Sequence, residues 1–233
     1  ENIIGKIEIK DAVVKASSNV KTYAGGVLGD LNASRSNQIS DCSIVNAQIN
    51  ADDDSLSGNP WLAGGVVGQV TGGTTSITSC EVSDTKVYGS FVGGIIGEIQ
   101  VSTSVTNSTV SLTDMHGTRA GGIAGCTTQK VDFNNCRVQG DNQKKIEIEG
   151  KKTSGGILGS ISGSNIVGIY NCIVNNATIT SVDDWGSGGL TGDTDWNVKA
   201  QLYFFDCDVE QSEIVGIRVG GIAGNVRGNL NAA

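Results

Sequence analysis

The chain has 233 residues, 34 of them glycine and only one proline, with few aromatics and a formal charge of −8. That acidic balance argues against nucleic acid and anionic membranes as partners, since both call for a basic footprint. No apolar run approaches the roughly twenty residues a spanning helix needs, and no shift in composition marks a boundary, so residues 1–233 read as one domain.

The first informative stretch is IEIKDAVV (7–14), in which apolar residues alternate on either side of a polar break. This predicts strand, corner, strand. It is followed by AGGVLG (24–29), a glycine cluster that would pass in isolation for a phosphate-binding turn. Both patterns then recur in phase. CSIVNAQI (42–49) leads to GGVVG at 64, CEVSDTKV (80–87) to GGIIG at 93, and STVSLTDM (108–115) to GGIAG at 121. CRVQG (136–140) leads to GGILG at 155, CIVNNATI (172–179) to GGLTG at 188, and CDVEQSEI (207–214) to GGIAG at 220. Successive first glycines are 39, 29, 28, 34, 33 and 32 residues apart. A phosphate loop occurs once per site, whereas seven phased copies of one unit signify a solenoid.

The fold expected is an all-β, right-handed parallel β-helix of about seven coils with three short strands each; the handedness follows the general rule for parallel crossovers. Stacked coils about 4.8 Å apart place each inward residue against its equivalents above and below. Ile9, Ile44, Val82, Val110, Val138, Val174 and Val209 should therefore form a continuous aliphatic spine. Glycine serves where a Cβ would clash, and Asn and Asp at the corners tolerate tight turns. Five of the six cysteines share one repeat position, with Ile7 and Ser108 in that place in the other two copies, while Cys126 stands apart. They read as a reduced, buried ladder, because equivalent side chains point in parallel rather than at each other. No CxxC pair suggests zinc, and neither a metal nor a cofactor is expected. Exposed strand edges at the ends of a solenoid invite pairing, so an end-to-end or edge-mediated oligomer, or continuation into a longer array, is expected.

Candidates for chemistry are few. The single histidine, His116, lies in TDMHGTRAGG without a recognisable nucleophile and is read as a loop residue. The segment VDDWGSGGLTGDTDWN (182–197) gathers Asp183, Asp184, Asp193 and Asp195 beside Trp185 and Trp196. Carboxylates paired across a cleft would serve as acid and base on a polysaccharide, or bind calcium; the plainer reading is a solvated loop. Trp61, in the inserted segment NADDDSLSGNPWLAGG (50–65), and Trp185 each lie three residues before a glycine pair, four coils apart. Lys152 occupies that place one coil before Trp185, which predicts a cation over an indole, and Lys151 aligns with Asp184 as an ion pair. With Trp196, the indoles are candidate sugar-stacking platforms. Asn32, Asn107 and Asn176 head formal glycosylation sequons, but corner geometry explains asparagine there without a sugar.

The recurring GGIAG, GGVVG and GGIIG cores, each followed by NC.V or SC.V, resemble the GLUG-motif repeats of bacterial surface proteins, and the resemblance covers nearly the whole chain. Such repeats occur in adhesin-like proteins and in the non-catalytic region of IgA-specific metallopeptidases. The resemblance implies a secreted or wall-associated bacterial protein and no particular ligand; the function expected is that of a non-catalytic, adhesin-like module that binds a host or bacterial surface protein or glycan or acts as a stalk. Those peptidases carry an H-E-x-x-H zinc motif, which this sequence lacks. The alternative is a glycan-binding or polysaccharide-degrading β-helix with its site in the 182–197 loop.

Overall fold

The computed structural model describes residues 1–17, 21–52, 61–163, 165–183, 185–195, 198–227 and 229–232. Those residues build a parallel β-helix in which every strand pair is parallel and every sheet runs the length of the rod. One coil shows the plan: Asn37–Ser40 in sheet 1, Ser43–Val45 in sheet 2, Gln48–Asp52 and Trp61–Gly64 in sheet 3, and Val67–Val70 in sheet 4. Sheets 1 to 4 hold 8, 7, 12 and 7 strands among the described residues. None of those residues forms a helix long and apolar enough to cross a membrane.

The coil is divided more finely than into three strands. The stretches flanking the polar corner are sheet 2 and the first half of sheet 3, while the glycine stretch supplies the second half of sheet 3 and sheet 4. Sheet 1, whose strands include NQIS, TSIT and TSVT, precedes the cysteine position. Only one residue in each of these is strongly apolar, which hides their alternation among neighbouring Ser, Thr and Asn.

The aliphatic spine holds residue by residue. Ile9, Ile44, Val82, Val110, Val138, Val174 and Val209 are successive register partners in sheet 2. The five inner members are fully buried, and the outermost two pack against the same core. The corners on either side of sheet 2 hold the backbone in the left-handed region, at φ between 48° and 58°. One corner is Lys6, Asp41, Ser79, Asn107, Asn135, Asn171 and Asp206; the other includes Asp11, Asn46, Asp84, Leu112, Asn176 and Gln211. Asn and Asp dominate because they adopt this conformation at least cost among residues with a Cβ.

The residue after each corner explains the cysteines. Cys172 and Cys207 donate to the carbonyl two residues back at 3.2 Å, Cys42 does so at 3.4 Å, and Cys80 and Cys136 at 3.6 Å. Ser108 makes the same bond to Thr106 at 3.1 Å. At the second corner Thr85, Thr113 and Ser212 do likewise at 2.8 Å. The repeat thus asks for a small side chain with one donor at this point, and all six cysteines are free thiols.

The glycine motif is a reversal. A Cβ on the first glycine of the pair would lie about 2 Å from the carbonyl oxygen three residues on, as at Gly64 with Val67 and Gly93 with Ile96. The chain therefore doubles back, and the end of sheet 3 lies against sheet 4. A Cβ on the second glycine would strike the spine opposite: Gly65 meets Val82, Gly94 meets Val110, Gly122 meets Val138 and Gly156 meets Val174, at 2.7 to 2.8 Å. The tip of each reversal reaches across the coil to the far wall.

Candidate functional site

Sheet 3 is continuous in the coils holding Asp114–Gly121 and Ile146–Gly155. In the coil before them it is interrupted at Gly89 and Ser90, and in the coil before that its described strands are Gln48–Asp52 and Trp61–Gly64. Beside these strands lies a groove of about 410 Å³ lined by Gln48, Asn50, Trp61, Tyr88, Gly89 and His116. One wall is a column set by register, with Asn50 beside Tyr88, Tyr88 beside His116 and His116 beside Glu149. The strand spacing brings the Tyr88 and His116 rings into a stack, centroids 5.3 Å apart and planes inclined by 13°. His116 Nδ1 lies 3.4 Å from a Glu149 carboxylate oxygen. Gly89 keeps the floor low, since a Cβ there would stand 3.0 Å from the Trp61 carbonyl oxygen.

His116 thus stands in a strand, where a loop was expected. Its neighbours Gly117 and Thr118 obscure the alternation, and partners in adjacent coils restore it. The Trp61 indole N–H and the Asn50 amide oxygen have no hydrogen-bond partner among the described residues.

The 182–197 segment is arranged differently from an acidic cleft. Asp183 sits in a turn, its N–H donating to the Lys151 carbonyl at 2.8 Å and its carbonyl accepting from Trp185 N–H at 2.9 Å. Lys152 Nζ stands 5.6 Å from the Trp185 ring centroid, the cation over indole that the spacing predicted. Asp184 and Trp196, and with Asp184 the expected pair to Lys151, lie outside the described residues. Asp193 is fully buried in sheet 4, between Ser160 and Asn225 in register. Burial pushes its carboxyl up to about 6, with Asn225 and Arg227 acting in the opposite direction. Asp195 accepts from both terminal nitrogens of Arg119 at 3.2 Å and from Ser162 Oγ at 2.6 Å. Of the three described aspartates, one sits in a turn, one is interior and one is paired with a guanidinium.

The reversal also carries a polar seam that reading along the chain overlooked. Arg119, at the end of sheet 3, reaches Cys126, Ser160 and Ser162 as well as Asp195, and lies over the Phe91 ring at 5.0 Å. Lys21 and Gln69 converge on Glu98 at 3.3 and 2.6 Å, joined by Gln100 at 2.8 Å. A signal was present: the residue five after each first glycine is Asp30, Gln69, Glu98, Cys126, Ser160, Asp193 and Asn225. These are register neighbours, one per coil, and Cys126 belongs to this column rather than standing apart.

No protein-family model matches the chain, and no curated protein matches its sequence. Among solved structures it is similar to one described as a putative immunoglobulin A1 protease from Bacteroides ovatus, with a TM-score of 0.60 and 19% identity. The match covers 99% of this chain and 67% of that one. At that identity the likeness is one of fold.

Proposed function

We propose that this β-helix is a non-catalytic repeat module of a bacterial surface or secreted protein, a rigid rod that holds its loops out for adhesion or spaces what lies at its ends. The observation that carries this reading is the use made of the acidic residues. Carbohydrate cleavage needs two carboxyls facing one bond across a cleft. Here Asp193 is buried inside sheet 4 and Asp195 is bound by Arg119 and Ser162, so neither is free to face a bond across a cleft. A chain with one histidine also cannot assemble an H-E-x-x-H zinc site from its own residues. The likeness to a protein described as an immunoglobulin A1 protease fits a part played beside a catalytic centre, as a stalk or recognition segment. Likeness of fold alone assigns no reaction.

Two assays test the reading. Beads coated with the purified chain should be retained on bacterial or epithelial cell layers more than beads coated with an inert protein of equal charge. Incubation with a panel of polysaccharides should release no reducing ends; release that disappears in Asp183→Asn or Asp195→Asn would establish the cleaving alternative.

A further inference from the structure

We infer that the groove between Trp61 and the Tyr88–His116 stack is a binding site for a short, neutral saccharide. This deepens the surface-module reading and rests on it for its biological sense. The groove's volume, about 410 Å³, falls in the range of small-ligand sites. Its lining is what a pyranose requires. Aromatic faces carry negative charge in their π-clouds and attract the polarised C–H bonds on a sugar's apolar face. Trp61 supplies one such surface and the Tyr88–His116 pair another, held rigid by strand register.

The hydroxyls of a sugar need donors and acceptors around that apolar contact. Gln48 is exposed and offers both, and Asn50, its neighbour but one on the same strand, has a buried amide oxygen that the fold leaves without a partner. Glu149 extends the column past His116. Lys86 and Asp114 are neighbours in the adjacent outward column, but Lys144 already holds Asp114 at 2.9 Å. Among the described residues the lining holds no Lys, Arg, Asp or Glu, which favours a neutral ligand over a sulfated or sialylated one.

The test is saturation-transfer NMR on the whole chain with lactose, cellobiose and N,N′-diacetylchitobiose, followed by titration of whichever binds. Millimolar or tighter binding is expected for at least one. Trp61→Ala or Tyr88→Ala should weaken it about tenfold. Gln48→Ala, an exposed change that leaves the core intact, should weaken it about threefold. Trp185→Ala, four coils away, should leave it unchanged. Absence of binding by all three sugars, or binding indifferent to Trp61, Tyr88 and Gln48 alike, overturns the proposal, as does binding of an aromatic-rich peptide library in place of any sugar. Beads that adhere while no sugar binds would sink this site and leave the surface module standing. Sugar binding without adhesion would do the reverse.

Discussion

The two halves of each coil are built by different rules. From sheet 1 through the first half of sheet 3, corners in the left-handed region alternate with short strands, and each residue of the aliphatic spine meets a near-copy of itself in the adjacent coils. From the end of sheet 3 through sheet 4 the chain folds back at a glycine pair, and the side chains there differ from coil to coil: Gln69, Glu98, Cys126, Ser160, Asp193. The first half is held by repetition and the second by specific polar partners, some spanning two coils, as from Arg119 to Asp195. Repetition is robust to a single change because each rung is supported by two others. A seam of unlike groups is not, since removing one leaves its partner buried and unpaired.

The largest test of that contrast lies at the tip of the reversal. Gly122→Ala puts a Cβ at 2.0 Å from the Gly156 carbonyl oxygen and 2.8 Å from Val138. It should cost more than about 3 kcal/mol in a urea titration. Gly221→Ala is the same change at the same repeat position in the last coil, where a Cβ meets nothing within 4 Å. It should be within about 0.5 kcal/mol of the parent, and equal losses at both sites would show that the glycines serve the turn alone.

Next comes Asp193 in the seam. Its folded pKa, about 6, lies above the ordinary aspartate value of 3.8, so the buried charge carries no penalty below about pH 4, a growing one up to about pH 6, and a constant one beyond. This contribution to stability is therefore lost as pH rises from 4 to 6. Asp193→Asn should stabilise the chain by as much as about 3 kcal/mol at pH 7 and by little at pH 4. A thermal melt showing equal shifts at both pH values would refute the assignment.

A smaller gain is expected in the regular half. Leu112 holds φ 49° at a corner where four other coils place Asn or Asp. Leu112→Asn should add about 1 kcal/mol by relieving that strain. Smallest is the effect of thiol labelling on the folded rod. Burial pushes Cys80 up to about 12, and the hydrogen bond with Cys136, ahead of burial, pushes Cys172 up to about 12. Ellman's reagent should react slowly with the native chain, first at half-buried Cys207, and with all six thiols in urea. Fast native reaction of the whole set would mean that the coils open readily.

The difference between the halves also sets what could be read in advance. The spine, the corners and the reduced cysteines were legible because each repeats a residue type at a fixed offset, and seven copies average out local ambiguity. Sheet 1 was missed because three of its consecutive strands, NQIS, TSIT and TSVT, show little but polar residues beside a lone apolar one. The seam was missed because its column shares polarity and position but no residue type. The placement of Lys152 over Trp185 could be foreseen from alignment on the glycines. The groove could not: Trp61, Tyr88 and His116 are far apart in sequence, in segments of unlike character, and only coil-to-coil register places Tyr88 against His116.

The direction of the hydrogen bonds has a mechanical consequence. Bonds between coils run along the rod, so tension applied to its two ends loads them along their own axis. Each coil that peels away shortens the rod by about 4.8 Å but releases roughly 30 residues, or about 100 Å of extended chain. Under load such a rod lengthens in steps and behaves as a shock absorber, each step set by one repeat.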